Sequence, residues 1–249
     1  MSVNLNNDPP RSQCVKALPS PGSLALLPRG RYWIGSDTIS HASPRHSRLL
    51  GADVWIDQRL TTWRAFEAFV CGGGYGNEQF WKSIGGKPLP QEAIPQSVDA
   101  RCDMLRREAV AAIGCDRPSH MPWSDMPVVG LSWFEALAVC RFFGARLPFE
   151  VEWEAAVVKV GLLSHAMAAG IVPFQEWTLD RYIGRYWRAD ESIRGREWNG
   201  DREVVIRGHA ENEPAVGSNG RRPAEPSAGL VLRGFRRVWD RYPLESIDG

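Results

Sequence analysis

The stretch Arg146-Leu-Pro-Phe-Glu-Val-Glu-Trp-Glu-Ala-Ala156 decides the fold of this 249-residue chain. Its apolar residues recur at helical spacing, Pro148 stands just ahead of them, and Gly161 follows them. Proline near the start of a helix and glycine just past its end are common boundary residues. The stretch therefore predicts a helix from about Glu150 to Val160.

A second helix is predicted directly upstream of this stretch. Ser132 followed by Glu135 forms a capping box, in which the serine oxygen accepts a hydrogen bond from the third amide and the glutamate bonds the cap amide. Apolar residues recur at helical spacing behind the box, and Gly144 ends the pattern.

The N-terminal part of the chain combines strand and helix signals. The segments Gly30–Gly35 and Ser47–Ile56 contain aromatic and β-branched residues, which predicts two strands. Thr61 or Thr62 then caps a predicted helix, which Gly72-Gly-Gly74 ends.

Little regular structure is predicted after Gly170, where Gly, Pro, Asn and Arg are dense. Short strands are expected at Val204–Arg207 and near Leu230–Val238. Residues 1–23 are expected to form a flexible lead-in, and residues 24–249 a single domain. The prediction is a loop-rich α+β chain with few short strands and about three helices.

The composition disfavours several classes of partner. A hydrophobic content of 43% is typical of soluble globular proteins, and a net charge of +1 does not favour a nucleic acid or an anionic membrane. No apolar run approaches the roughly 18 residues of a membrane span, and no secretory signal opens the chain, so we expect a cytoplasmic protein. The five cysteines are odd in number and contain no C-x-x-C pair, so we expect reduced thiols.

Eight short pieces of the sequence, over about residues 25–240, occur in the order seen in the formylglycine-generating enzyme superfamily. The pieces are Tyr32-Trp-Ile-Gly35, Ser43-Pro-Arg-His46, the Thr61–Tyr75 segment, Pro127-Val-Val-Gly-Leu-Ser-Trp133, Arg146–Ala156, Glu176-Trp-Thr178, Val205-Ile-Arg-Gly208 and Gly234-Phe-Arg236. The chain thus resembles that superfamily, which includes the sulfatase-modifying factors, the C-terminal domain of hercynine oxygenases and a pyoverdine-maturation protein. The resemblance implies a single α+β domain of the C-type-lectin-like kind.

Five tryptophans fall on the framework motifs of the superfamily: Trp33, Trp81, Trp133, Trp153 and Trp177. We expect them to be largely core residues, because large aromatic side chains dominate burial. For the last three, the alternative is a wall on which a ligand stacks.

Three positions of the central motif bear on the helix that begins near Glu150. Glu152 and Glu154 are expected to serve as partners of the helix dipole or the backbone, with acid–base catalysis as the alternative. Phe149 stands where the superfamily normally has Thr. It has no oxygen to cap the helix, which predicts a loss of about 1 kcal/mol unless another group serves.

The resemblance implies a copper chemistry that this sequence does not support. Formylglycine-generating enzymes carry a thiolate pair between the Arg-Gly and Gly-Phe-Arg motifs, where soft sulfur ligands select cuprous ion. Here the interval from Gly208 to Gly234 contains no cysteine, and none follows Cys140. Oxidation through a copper-thiolate centre is therefore not expected.

The resemblance also bears on two other metals: it leaves iron open, whereas the calcium ligands of the family are not matched. Val172 and Pro173 stand in place of a Gly-Asn pair that supplies calcium ligands in the family, so calcium is not expected. Iron stays open, although hercynine oxygenases hold it with histidines of a separate helical bundle that this chain lacks. His41 and His46 have no carboxylate at facial-triad spacing, and His46 is expected to be a structural hydrogen-bonding residue. The cofactor is left unknown.

The segment after the Arg-Gly motif contains the predicted catalytic residues, His209 and Glu211. A nearby carboxylate raises the pKa of an imidazole and suits it to acid–base work near neutrality. The residues predicted to bind a ligand, by its carboxylate or phosphate or by stacking, are Arg207, Arg233, Arg236, Trp177 and Trp198. The alternatives are a solvent-exposed loop for the histidine and structural salt bridges for the arginines.

Two functions remain in competition. The first is an oxidative tailoring enzyme, or a subunit of one, that acts on a small metabolite or peptide with a metal from unidentified residues or a partner subunit. The second is a non-catalytic module that binds a ligand or a protein partner on a lectin-like scaffold. An accessory or immunity-type partner role is a third reading. Neither a nucleic acid nor a membrane is expected as a partner.

Overall fold

The computed structural model describes residues 23–83, 89–113, 122–162, 175–184, 203–208, 220–229 and 232–243. Within these ranges the chain has four α-helices and nine β-strands. The helices are α1 (Trp63–Cys71), α2 (Val98–Ile113), α3 (Trp133–Phe142) and α4 (Glu150–Val160). The strands are β1 (Leu24–Leu27), β2 (Gly30–Ile34), β3 (His46–Leu50), β4 (Val54–Asp57), β5 (Gln175–Arg181), β6 (Val204–Gly208), β7 (Arg221–Ala224), β8 (Arg233–Phe235) and β9 (Val238–Trp239).

The two helices predicted around the central motif are confirmed. α4 occupies Glu150–Val160, and Gly161 follows it in the left-handed conformation, with φ of 69°, which glycine adopts without steric cost. At the start of α3, the Ser132 hydroxyl accepts a hydrogen bond from the Glu135 amide at 3.1 Å. The Glu135 carboxylate in turn accepts one from the Ser132 amide at 2.8 Å, which completes the capping box.

The remaining helices show where the sequence pattern was incomplete. α1 begins after Thr62, as predicted, but the Thr62 side chain makes no capping hydrogen bond. α2 was not predicted, because its apolar residues are few and most of its other positions are charged or small. The Ser97 hydroxyl accepts a hydrogen bond from the Ala100 amide at 3.3 Å, so a start signal was present in the sequence.

The strands form three small sheets. β1, β4 and β9 form one antiparallel sheet, and β2 and β3 form a hairpin. The third sheet has the order β7-β6-β5-β8, in which β5 and β8 are parallel and the other pairs are antiparallel. Together with the four helices, these sheets make the α+β architecture that the sequence predicted.

Two strand predictions and one prediction of irregular structure are corrected. The predicted strand Ser47–Ile56 is divided into β3 and β4, which belong to different sheets. The predicted strand near Leu230–Val238 contains β8 and β9, again in different sheets. The region after Gly170 is more regular than expected, because β5 and β7 lie in it.

The core is built largely from aromatic and aliphatic side chains of α1, α3 and β5, with a second cluster between α4 and the β1-β4-β9 sheet. Trp81, Trp133, Trp153 and Trp177 are buried, as predicted. Trp33 is the exception, since it is 61% exposed on the β2–β3 hairpin. The alternation along β2 directs its side chain away from the core.

None of the helices in the described ranges is both long enough and apolar enough to span a bilayer. The division into a lead-in and a single domain stays a prediction, because residues 1–22 lie outside the described ranges. The relation to C-type lectins likewise stays a prediction.

Candidate functional site

A cleft of about 890 Å³ lies between α2, the start of α3 and the segment 225–229, and we call it the α2 cleft. Its lining includes Pro90, Met104, Glu108, Phe134, Glu225 and Ala228. Small-molecule sites usually have volumes of roughly 300–1,000 Å³ and combine apolar walls with a few polar groups. The α2 cleft has both properties.

A hydrogen-bonded network closes one side of the α2 cleft. Glu135 receives two hydrogen bonds from Arg101, at 2.8 Å from Nε and 2.6 Å from Nη2, and one from the Tyr75 hydroxyl at 2.8 Å. The same carboxylate bonds the Ser132 amide of the capping box. Glu135 is therefore committed to structure, although it lines the cleft.

The network shifts the pKa of two of its members. Burial raises the pKa of Tyr75, and the neighbouring Glu135 carboxylate raises it further. Burial acts to lower the pKa of Arg101, but the hydrogen bonds and charge of Glu135 outweigh it, so the net shift is upward. Tyr75 thus stays protonated and Arg101 stays charged.

The remaining charge in the α2 cleft is negative. Its described lining contains Glu92, Glu108 and Glu225 besides the Arg101–Glu135 pair, and it includes no second cationic side chain. The ligand-binding residues predicted from the sequence instead include three arginines, Arg207, Arg233 and Arg236. The cleft itself was missed, because it depends on α2.

The segment 225–229 lines the α2 cleft and is hydrogen-bonded to Arg233 of β8. The Trp133 amide donates to the Pro226 carbonyl at 2.9 Å, which fixes this segment to the start of α3. Gly229 lies against Gly130 so closely that a Cβ atom on Gly229 would be 2.1 Å from the Gly130 carbonyl oxygen. A side chain at position 229 is therefore excluded without a shift of the backbone.

Arg233 lies directly behind this segment. Its Nη1 donates to the Ala228 carbonyl at 3.1 Å, and Ala228 lines the α2 cleft. Its guanidinium lies 4.2 Å from the ring centroid of Trp177, and the residue is only 3% exposed. Burial lowers the pKa of Arg233 to about 10.

The other two predicted arginines occupy buried ion pairs. Arg207 pairs with Glu154 of α4, and Arg236 donates from Nε to Glu176 of β5 at 2.8 Å. These contacts are the structural salt bridges that the sequence left open as the alternative. Neither guanidinium lines the α2 cleft.

The structure brings only some of the predicted site residues together. Trp177 is fully buried, donates from Nε1 to the Leu131 carbonyl at 3.0 Å and is covered by Arg233, as expected for a core aromatic residue. His209, Glu211 and Trp198 lie outside the described residues. Arg101, Tyr75 and the cleft carboxylates are the site residues that sequence reasoning missed. The capping box identified Glu135 as the partner of the Ser132 amide, but it did not reveal the ion pair of Glu135 with Arg101.

The metals that the resemblance implies find no cluster of ligands among the described residues. These residues contain no group of three or more His, Cys, Asp and Glu side chains that could hold a metal ion. His46 Nδ1 lies 2.8 Å from the Pro44 carbonyl oxygen, which is the structural role expected of it. The side chain of His41, and Val172 and Pro173, lie outside the described part of the chain.

The cysteines correct one expectation. Cys71 is disulfide-bonded, so the thiols are not all reduced. Cys102 and Cys140 are free. Burial raises the pKa of both thiols, which disfavours the thiolate form that binds cuprous ion. The described cysteines therefore do not fit a copper-thiolate centre.

Comparison of the sequence with known proteins identifies its family. Residues 12–212 match the family described as the sulfatase-modifying factor enzyme 1-like domain. A hercynine oxygenase of Mycolicibacterium smegmatis is 26% identical over 172 residues, which cover 62% of this chain and 37% of that protein. A formylglycine-generating enzyme of Streptomyces coelicolor is 39% identical over 146 residues, which cover 53% and 44%. The chain thus spans about two fifths of the length of these relatives.

Two solved structures have the same fold. PvdO from Pseudomonas aeruginosa superposes with a TM-score of 0.52 at 18% identity, over 86% of this chain and 93% of PvdO. Treponema denticola variable protein 1 superposes with a TM-score of 0.55 at 13% identity, over 88% and 95%. At these identities the likeness concerns the fold alone. On the match to its sequence pattern, the chain belongs to the sulfatase-modifying factor enzyme 1-like family of the formylglycine-generating enzymes.

Proposed function

We propose that this chain is an oxidative tailoring enzyme, or a subunit of one, that modifies a small metabolite or a peptide. Two of its sequence relatives are named for such chemistry, a hercynine oxygenase and a formylglycine-generating enzyme. The observation that carries the proposal to this chain is the α2 cleft, whose volume of about 890 Å³ suits a small molecule or a peptide side chain.

The catalytic role is assigned to the segment that follows β6. His209 is the proposed acid–base group, and Glu211 is the carboxylate that tunes and orients it. Trp198 is the proposed stacking residue. Arg233 is the proposed ligand-binding arginine, since Arg207 and Arg236 already pair with Glu154 and Glu176.

A metal, with iron as the candidate, would supply oxygen activation in this proposal. The described residues do not form a site for it, so the metal is assigned to a partner subunit or to residues outside those described. A copper-thiolate centre is not proposed, because no cysteine follows Cys140. Within the described part of the chain, the task that remains is to bind and orient the substrate.

Metal analysis after anaerobic purification tests the autonomous form of this proposal. Close to one equivalent of iron, or its uptake on titration, together with oxygen consumption that His209→Ala abolishes, is the expected result. The melting temperature of His209→Ala should stay close to that of the wild type. Less than about a tenth of an equivalent of iron or copper, with none taken up on titration, would contradict an autonomous oxidase.

The second candidate function is a ligand-binding module without catalysis. The observation that favours it is that the described lining of the α2 cleft includes neither histidine nor cysteine. A module of this kind would bind its ligand at the cleft and show no oxygen consumption. Saturable binding by calorimetry without turnover, in the presence of iron and a reductant, would support it over the oxidase.

A further inference from the structure

The α2 cleft is negatively charged, although the chain as a whole has a net charge of +1. Its described lining has four carboxylates and a single cation, Arg101, which leaves a net charge of −3. A cleft of one sign with apolar walls focuses the electric field and concentrates ions of the opposite sign. The four carboxylates are those of Glu92, Glu108, Glu135 and Glu225.

Arg101 is already committed to one of these carboxylates. Its Nε and Nη2 donate to Glu135 at 2.8 Å and 2.6 Å, and Nη2 also donates to the Gly130 carbonyl at 3.0 Å. The other three carboxylates therefore account for the charge of the cleft. None of them makes a hydrogen bond or an ion pair with another residue in the described part of the chain.

Glu108 is the most enclosed of the three, since it is half-buried whereas Glu92 and Glu225 are exposed. Its Oε2 lies close to the contact between Gly130 and Gly229, because a Cβ atom on Gly130 would be 3.5 Å from it. A half-buried carboxylate has lost part of its water, so a cation gains more by pairing with it than with an exposed one.

The other lining residues favour an organic cation over a metal ion. Pro90, Met104 and Phe134 give the cleft apolar walls, which are suited to a carbon chain. The described residues include no group of three or more His, Cys, Asp and Glu side chains that could hold a metal ion, so the carboxylates of the cleft do not converge on one point.

A buried hydroxyl group adds a neutral polar contact. Ser132 lines the cleft and is only 7% exposed. Its oxygen accepts a hydrogen bond from the Glu135 amide at 3.1 Å, and its proton has no acceptor among the residues that the structure describes. The Ser132 hydroxyl is therefore available to donate to a ligand oxygen.

We propose that the α2 cleft binds an organic cation, a charged amine at the end of a short apolar chain, with Glu108 as its counter-ion. Glu92 and Glu225 attract the cation, and the apolar walls cover its chain. Both a free alkylamine and the lysine side chain of a peptide carry this group. Identification of the cation with the substrate rests on the proposed function, whereas binding of the cation itself does not.

The experiment is a calorimetric titration with the N-acetyl methylamides of lysine, norleucine and glutamate, which present a cationic, a neutral and an anionic side chain on the same backbone. Cadaverine is a further arm that represents a free amine. At least one of the two amines is expected to bind saturably and more weakly as salt is added, with the neutral and anionic probes weaker by at least about tenfold. Whichever amine binds more tightly identifies the source of the cation.

Three results would overturn the proposal. They are no binding of either amine, equal affinity for the neutral or the anionic probe, and saturable binding of Ca²⁺ that displaces the amine.

Glu108→Gln should weaken amine binding by at least about tenfold, because it removes the charge and keeps the shape of the side chain. Its melting temperature should stay close to that of the wild type, since no hydrogen bond is lost. Asp103→Asn is the matched control, because Asp103 is an exposed carboxylate of α2 that does not line the cleft. Equal effects of the two substitutions on amine affinity would refute the role of Glu108.

The double variant Glu92→Gln/Glu225→Gln is a second test that does not depend on the folding of Glu108→Gln. It should weaken amine binding and reduce its dependence on salt, because two exposed charges of the cleft are removed. An unchanged affinity and an unchanged salt dependence would contradict attraction of the ligand by these carboxylates.

The failure of this inference can be distinguished from that of the proposed function. Amine binding that depends on Glu108, in a protein that neither binds iron nor consumes oxygen, would keep the cation site and contradict the oxidase. Iron-dependent oxygen consumption that is unchanged in Glu108→Gln, without amine binding, would keep the oxidase and contradict the cation site.

Discussion

Asp180 supplies the cap that Phe149 cannot. The Asp180 carboxylate, at the end of β5, accepts a hydrogen bond from the Glu150 amide at the start of α4. Asp180 is 1% exposed, so no water replaces it easily. The missing Thr of the family motif is thus compensated from another element, about 30 residues further along the chain.

Asp180→Ala should therefore lower the free energy of unfolding by about 1–2 kcal/mol, because it leaves a buried first-turn amide without an acceptor. Urea unfolding at constant pH measures this loss. Asp240→Ala is the control, since Asp240 accepts a hydrogen bond from Arg146 but its side chain is 71% exposed. Equal losses in the two variants would show that Asp180 does not act as a cap.

At this scale the sequence predicts local partners and misses distant ones. The Ser132–Glu135 box is readable because its members are three residues apart. The pairs Arg207–Glu154 and Arg236–Glu176 join residues more than 50 positions apart, and nothing local links them. For the same reason, the sequence could not tell which carboxylate each of these arginines would pair with.

At the scale of elements, α2 explains most of what was missed. The helix supplies Arg101 and Glu108 to the α2 cleft, and its polar sequence hides its weak apolar pattern. The strand errors have a related cause. Three-residue interruptions such as Gly51-Ala52-Asp53 move the chain from one sheet to another, and pairing partners are not encoded locally.

Gly229→Ala tests the segment between the α2 cleft and Arg233. The added Cβ meets the Gly130 carbonyl oxygen at 2.1 Å, so the segment must shift and the protein should lose about 1–3 kcal/mol of stability. Thermal unfolding measures this loss.

Gly51→Ala is the matched control for this substitution, because a Cβ at position 51 has no neighbour within 4 Å. It should leave the melting temperature close to that of the wild type. A neutral Gly229→Ala would contradict the close contact between the two backbone segments.

At the scale of the whole molecule, the order of the motifs predicted the family and the α+β class correctly. The central motif fixes α4, its neighbour fixes α3, and the buried tryptophans connect them to β5 through bonds such as Trp133 Nε1 to the Thr178 carbonyl at 2.7 Å. The redox state is the feature that composition could not predict. An odd cysteine count is compatible with one disulfide and several free thiols.

The Cys71 disulfide makes a labelling prediction. If the protein is unfolded without reductant and treated with iodoacetamide, Cys102 and Cys140 should be alkylated and Cys71 should not. In the folded protein at pH 8 both free thiols should react slowly, because a raised thiol pKa leaves less thiolate at that pH. Peptide mass analysis reads out each site.

Alkylation of Cys71 without prior reduction would refute the disulfide. If the bond is present, it argues against the cytoplasm as the compartment, because disulfides persist mainly in oxidising compartments. The cytoplasmic location expected from the sequence therefore stays a prediction that this labelling can weaken.

The Glu135 carboxylate has a consequence for folding cooperativity. It holds the first turn of α3 through the Ser132 amide and holds α2 through Arg101. Detachment of α2 thus removes the guanidinium that pairs with the carboxylate at the start of α3, so the opening of α2 is coupled to a loss of stability in the first turn of α3. Widening of the α2 cleft by a movement of α2 therefore requires that the Arg101–Glu135 ion pair breaks.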